Sequence, residues 1–176
     1  MPTEGQKFKE VNIAWHNLMN RIHDNPAALE VMKIEELGSI LKKANTKLET
    51  VQKGLNDYLE SKRSLFPRFY FLSNEELLEI LSETKDPKRV QPHLKKCFEG
   101  IASLKFDEEL KIHGMYSIEG EYVEFTRIID PVASKGQVED WLLQVEDVML
   151  KSVRDKIEKS YHDYTKTPRE KWVISW

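Results

Sequence analysis

Few residues of this chain have chemistry to offer, and they are scattered. Cys97 follows His93 by four positions, a spacing that would set a thiol and an imidazole on one helical face as nucleophile and base. The same stretch argues against reactivity. A thiol turned inward among Leu94 and Phe98 is poorly solvated as thiolate, so its pKa rises and it stays inert. His16 and His23 lie seven apart on one predicted helix, whereas His93, His113 and His162 fall on other elements. A metal site needs three or four converging ligands, and no such set is spaced for it. The pairs Glu35-Glu36, Glu75-Glu76 and Glu108-Glu109 could furnish an acid and a base, but they sit beside lysines on helix surfaces or in a turn, as solvated charge does. No G-x-x-x-x-G-K-[ST] occurs, and none of the seven glycines belongs to a phosphate-cradling cluster. The reading is therefore no catalytic residue, no cofactor-binding residue and no metal site.

Composition narrows the partners. The 176 residues carry a formal net charge of −3 with 32% charged and 40% hydrophobic residues, which permits a core but offers no broad basic field for nucleic acid or an anionic membrane. Local basic spots at Lys62-Arg63, Lys88-Arg89 and Lys95-Lys96, set among acidic neighbours, suit a charged protein partner better than a phosphodiester backbone. The lone Cys97 makes no internal disulfide and reads as a reduced, intracellular thiol. With no long apolar run and no leader, the expectation is a soluble cytosolic protein that engages no nucleic acid, membrane or small-molecule substrate. The stop at Ser175-Trp176, straight after an apolar string, reads as a piece cut from a longer chain.

The elements that would carry these residues are mostly helical. Phe8, Val11, Ile13, Trp15, Leu18, Met19 and Ile22 predict one amphipathic helix over residues 3–23. Asp24-Asn25-Pro26 breaks it, and a short segment through Val31 follows. Apolar positions from Ile34 to Leu65 predict a long helix, on the order of 45 Å at 1.5 Å per residue, which suits a strut. Then comes an aromatic cluster, Phe66, Phe69, Tyr70, Phe71 and Leu72, around Pro67. Proline there fixes φ and lacks an amide hydrogen, so the cluster predicts a buried corner rather than a helix. Ser73 with Glu76 forms a capping box opening a helix from Asn74 to about Thr84, with Leu77, Leu78, Ile80 and Leu81 as its apolar face. Asp86-Pro87 opens another, with Val90, Leu94, Cys97 and Phe98 on one side. The period then changes to that of strands, predicted at 103–106, 110–117 and 121–129 about the turn Glu119-Gly120. A last long helix starts at Ser134 or Lys135 and runs to about Tyr164, burying Val138, Trp141, Leu142, Val145, Val148, Met149, Val153, Ile157 and Tyr161. Thr167-Pro168 starts a terminal turn or helix.

The run QKGLNDYLESKRSLFPRFYFLSNEELLEILSETKDPKRVQPHLKKCFEGI (52–101) resembles the linker region of dynein heavy chains, axonemal ones above all. MYSIEGEYVEF (115–125), VEDWLLQVEDVM (138–149) and WVISW (172–176) match that family in the same order. The resemblance implies a mostly helical arm that lies across a ring of AAA+ ATPase modules and bends and straightens as the ring turns over ATP. It implies that ATP and magnesium belong to the parent chain rather than to this piece, that the partners are the ring modules of the same heavy chain, with microtubules reached only indirectly, and that the setting is the cytoskeleton of a cilium or flagellum.

The expected architecture is mostly α: an elongated helical bundle with long helices and a small three-stranded antiparallel sheet inserted between them. One linker fragment spans 1–176, with sub-parts at 1–66 (N-terminal helices), 67–101 (aromatic corner and short helices), 102–130 (sheet) and 131–176 (long helix and a truncated element). The expected role is a non-catalytic lever, the alternative a static helical scaffold that binds a partner protein. Candidate hinge or packing residues are Phe66, Pro67, Phe69, Tyr70, Phe71 and Leu72. Candidate contacts to a neighbouring module are Glu119, Gly120 and Glu121.

Overall fold

The structure, a computed structural model, describes residues 2–82 and 86–176. The chain divides into two compact units, Met1–Ser61 and Lys62–Trp176.

In the first unit, α1 (Pro2–Asp24), α2 (Ala28–Met32) and the greater part of α3 (Leu37–Leu65) follow in order. The pairs Glu10–Lys47, 2.6 Å apart, and Glu4 against Gly54 run in opposite directions along the two long helices, so α1 and α3 lie antiparallel. Only Val11 and Leu18 of α1 are buried, seven residues apart on one narrow stripe. Phe8, Ile13 and Trp15 stay about half exposed, which corrects the broader apolar face expected for this helix. α3 starts at Leu37, three residues later than expected, because Glu36 takes a left-handed φ of 61° that an α-helix cannot include. Its 29 residues span about 43 Å.

In the second unit, the end of α3 leads through a 3-10 turn at Pro67–Phe71 to α4 (Asn74–Ser82). The expected helix end at Thr84 lies outside the described residues. Pro87–His93 forms a second 3-10 turn before α5 (Leu94–Cys97). Pro92 inside this stretch removes an amide donor and explains why the expected helix is α-helical only over its last turn. The Asp86 side chain does cap it, accepting from Lys88 N at 3.0 Å. Val90, Leu94, Cys97 and Phe98 are all buried as expected.

The strands β1 (Ser103–Phe106), β2 (Ile112–Tyr116) and β3 (Tyr122–Ile129) form one antiparallel sheet in the order β1-β2-β3. β2 and β3 are shorter than expected: Leu110 has φ 64° and belongs to the turn before β2, and the hairpin bond from Ser117 N to Glu121 O closes outside the strands. The sheet's edges are stitched to helical segments by side chains. Gln91 donates to Leu104 O at 2.8 Å and accepts from Leu104 N at 2.9 Å, standing in for a strand beside β1. Ser152 Oγ accepts from Thr126 N of β3 at 3.0 Å while donating to Val148 O.

Ser152 belongs to α6 (Val138–Tyr164), which buries Val138, Trp141, Leu142, Val145 and Val148 in its first half. The helix opens later than Ser134 or Lys135 because a 3-10 turn at Val132–Ser134 is ended by two left-handed residues, Lys135 (φ 50°) and Gly136 (φ 83°). In its second half Val153, Ile157 and Tyr161 are exposed, Tyr161 by 73%, against expectation. The final helix α7 (Arg169–Ser175) turns back along this half: Trp172 Nε1 donates to Ser160 O, and its ring meets that of Tyr164 edge-on at 5.0 Å.

Candidate functional site

The candidate site is the aromatic corner, and its structure follows from how α3 ends. A helix leaves its last four carbonyls without intrahelical partners, and Pro67 stops the chain from continuing to supply them. Instead, Phe66 N bonds Lys62 O and the chain tightens into 3-10 bonds, Phe69 N to Phe66 O and Leu72 N to Phe69 O. A 3-10 turn repeats every three residues, so Phe66, Phe69 and Leu72 line up inward. Phe66 and Phe69 are 0% exposed and meet edge-to-face at 4.9 Å, and Phe98 approaches Phe66 at 6.0 Å. Tyr70 and Phe71, expected inside, point outward with 58% and 68% exposure because they occupy the other rows of the same turn. The corner is therefore a 3-10 helix with a buried side and an open side, a correction to the fully buried, non-helical corner expected. Pro67 sits at its first position and is itself exposed.

Three basic residues build this corner, and two of them, Lys62 and Arg63, read in the sequence as surface charge. Arg63 is 9% exposed; its Nη2 donates to Leu72 O at 3.2 Å and to Asn74 Oδ1 at 2.9 Å, and its Nε faces Phe69 O at 3.5 Å. The planar fork thus ties the end of α3 to the exit of the turn and the start of α4. Its guanidinium also lies 5.8 Å from the Tyr70 ring. Lys62 turns inward to Glu139 in the first turn of α6, a carboxylate 2% exposed. Arg68 lies over the Phe98 ring at 4.9 Å, donates to Cys97 O at 3.0 Å and pairs with Glu146 at 3.0 Å. The available signal for Arg63 was its place in the last helical turn before a proline, where orphaned carbonyls collect. For Glu139 there was none, since acids in a first turn are usually solvated partners of the helix dipole.

Around the corner, Ser73 and Glu76 form the expected capping box: Glu76 N donates to Ser73 Oγ at 3.3 Å and Ser73 N to Glu76 Oε2 at 3.0 Å. Glu76 also takes Lys96 at 2.6 Å, and this hydrogen bond first, then that from Ser73, holds its carboxyl below the usual value. Lys96 is thus engaged within the unit rather than free for a partner. Cys97 is buried, and desolvation pushes its thiol up to about 11. His93 Nε2 lies 3.5 Å from Glu79. Among the described residues, no three His, Cys, Asp or Glu side chains gather to hold a metal ion, and no helix is long and apolar enough to cross a membrane.

The second candidate, the hairpin tip, lies apart from the corner in sequence. Glu119, Gly120 and Glu121 are exposed, with Ile118 beside them at 61%. Gly120 adopts φ 88°, open to glycine, and Glu121 N donates to Ser117 Oγ at 3.1 Å, so the tip has a defined shape. Behind it Gly114 is required: a Cβ there would stand 2.5 Å from Val123 O and 2.6 Å from the Tyr122 ring, which crosses the strand at that point. Glu121, Tyr122 and Val123 border a groove of about 950 Å³ with Ile157 and Tyr161 of α6 on its far wall.

The profile described as "Dynein heavy chain, N-terminal region 2" matches residues 1–160. The chain belongs to the dynein heavy chain family. Its 176 residues are 54% identical to dynein axonemal heavy chain 3 of Mus musculus, 52% to dynein axonemal heavy chain 12 of Mus musculus and 48% to dynein axonemal heavy chain 1 of Homo sapiens, each over the whole of this chain. It spans only 4%, 6% and 4% of those relatives respectively, as an N-terminal-region segment of a dynein heavy chain. These axonemal relatives set this dynein segment in the cytoskeleton of the ciliary or flagellar axoneme.

Proposed function

We propose that this dynein segment is part of a non-catalytic mechanical linker, a lever that couples rearrangement of an AAA+ ring to displacement along microtubules. ATP and magnesium act elsewhere in the parent chain, the ring modules of that chain are the direct partners, and microtubules are reached only through the whole motor. The observation that carries the reading is the corner. Arg63, Phe66, Phe69 and Leu72 lock the end of α3 to the following elements without any reactive group, while the rings of Tyr70 and Phe71 are solvent-exposed on the same turn. A lever needs such a place, stiff on one side and able to exchange contacts on the other, for a ligand-driven difference of a few kcal/mol to switch its docking. The hairpin tip Glu119-Gly120-Glu121 is a second contact in this scheme, its two carboxylates offered to a basic patch of a ring module.

The test is a parent heavy chain carrying Phe69→Ala or Tyr70→Ala. Both are expected to hydrolyse ATP while gliding of microtubules slows, because the fulcrum no longer holds its shape or no longer docks. Unchanged gliding velocity in correctly folded motors would refute the proposal.

A further inference from the structure

Glu139 is placed oddly for a residue that only stabilises. Its Oε1 meets Lys62, yet Oε2 accepts no hydrogen bond among the described residues although it is buried. Its neighbours on the helix, Val138, Trp141 and Leu142, are apolar and at most 3% exposed, so an apolar side chain would suit the site. A buried ion pair left half satisfied commonly costs as much in desolvation as it returns in attraction.

What the pair does supply is register. The rest of the buried stripe, Val138, Trp141, Leu142, Val145 and Val148, is apolar, and apolar packing penalises a seating one helical turn, about 5.4 Å, away less sharply than a buried charge without its partner does. Glu139 and Glu146 lie two turns apart on that helix, and Lys62 and Arg68 lie on either side of Phe66. Only one seating gives Glu139 its Lys62 and Glu146 its Arg68 together. A shift by one turn would leave a buried carboxylate with no cation, the arrangement that folding tolerates least.

We infer that Lys62 and Glu139 are positioning residues whose ion pair selects the register of the aromatic corner on α6, rather than supplying the free energy that holds the fold. The inference deepens the lever reading and rests on it for its mechanical consequence: a lever transmits displacement only if its corner cannot slip.

The test compares Glu139→Leu with the double variant Lys62→Met/Glu139→Leu. In the 176-residue chain the single variant unfolds at lower urea, because the part-buried Lys62 loses the contact with its buried acid. The double variant unfolds at the original midpoint or above it, while amide exchange over 66–72 and 138–146 quickens about tenfold as the register loosens. In the parent heavy chain the double variant lowers gliding distance per ATP hydrolysed. A double variant as destabilised as the single one, or unable to fold, overturns the inference, since the pair would then be a stability element. So does a double variant with unchanged exchange. If instead exchange quickens and gliding is unaffected by either this variant or Phe69→Ala, the register assignment stands and the lever reading falls.

Discussion

Replacing Arg63 by alanine should be among the more damaging single changes at the corner, even though arginine is usually a surface residue. Arg63 is 9% exposed, and its guanidinium donates to Leu72 O at 3.2 Å and Asn74 Oδ1 at 2.9 Å, with a marginal bond to Phe69 O at 3.5 Å. A hydrogen bond from a charged donor contributes about 1.5–3 kcal/mol, and the truncated variant also leaves the carbonyl of Leu72, itself 4% exposed, in search of a donor. Two such bonds, not fully additive, place the loss at about 3–5 kcal/mol, or roughly 10 °C in Tm for a chain of this size. Arg63→Lys should recover less than half of it, because an ammonium cannot span both acceptors as the planar fork does. Tyr70→Ala and Phe71→Ala, at 58% and 68% exposure, should each cost less than about 1 kcal/mol. Urea unfolding followed by far-ultraviolet circular dichroism measures all four. The reasoning is refuted if Arg63→Ala lies within about 1 kcal/mol of the parent, or if Tyr70→Ala costs as much as Arg63→Ala.

Other outcomes follow from the same structure. Gly114→Ala should destabilise by about 1–3 kcal/mol, since the added methyl meets a backbone carbonyl at 2.5 Å and a ring at 2.6 Å; a neutral result in the same urea assay would show that the Tyr122 ring moves aside freely. Cys97, its thiol pushed up to about 11, holds roughly one part in ten thousand as thiolate at neutral pH, so iodoacetamide should leave the native chain unlabelled while labelling the urea-unfolded chain, as mass spectrometry would read. Asp107, held below its ordinary 3.8 first by its hydrogen bond with His113, and Glu76, held below 4.5 first by Lys96, are groups whose depressed values contribute stability above the unfolded pKa and lose it as pH falls through the folded one. These two carboxylates therefore leave stability level from neutral pH down to about 5 and reduce it below about 4.5; Asp107→Asn with Glu76→Gln should flatten that acid decline, and an unaltered slope in the variant would show that other groups govern it.

Much of the fold was legible because it rests on local chemistry. The capping box at Ser73 and Glu76 and the cap at Asp86 involve residues within a few positions of one another and formed as expected, and the three strands formed in the expected order, though β2 and β3 are shorter. What was not legible depended on partners distant in sequence or on a period the eye does not expect. The aromatic corner looked uniformly buried because clustered rings usually are, but a three-residue repeat divides such a cluster, sending Phe66, Phe69 and Leu72 in and Tyr70 and Phe71 out. The long apolar face expected along α6 assumed one partner for the whole helix, whereas the buried stripe stops at Ser152, which bonds to Thr126 at the edge of β3.

The same distinction separates the two halves of the candidate site. Lys62 and Arg63 are adjacent and read as a basic spot, yet consecutive helical positions point about 100° apart, so one reached α6 while the other turned under the 3-10 turn. Neither could be assigned without knowing where Glu139 and Leu72 would be. The two charges are brought inward in two directions at the end of a long helix, and each holds the exit of α3 against a different neighbour, α6 for Lys62 and the start of α4 for Arg63. Loss of either contact is expected to loosen residues 62–66 from that neighbour. On the lever reading proposed above, that loosening is what the segment must deny until its docking changes.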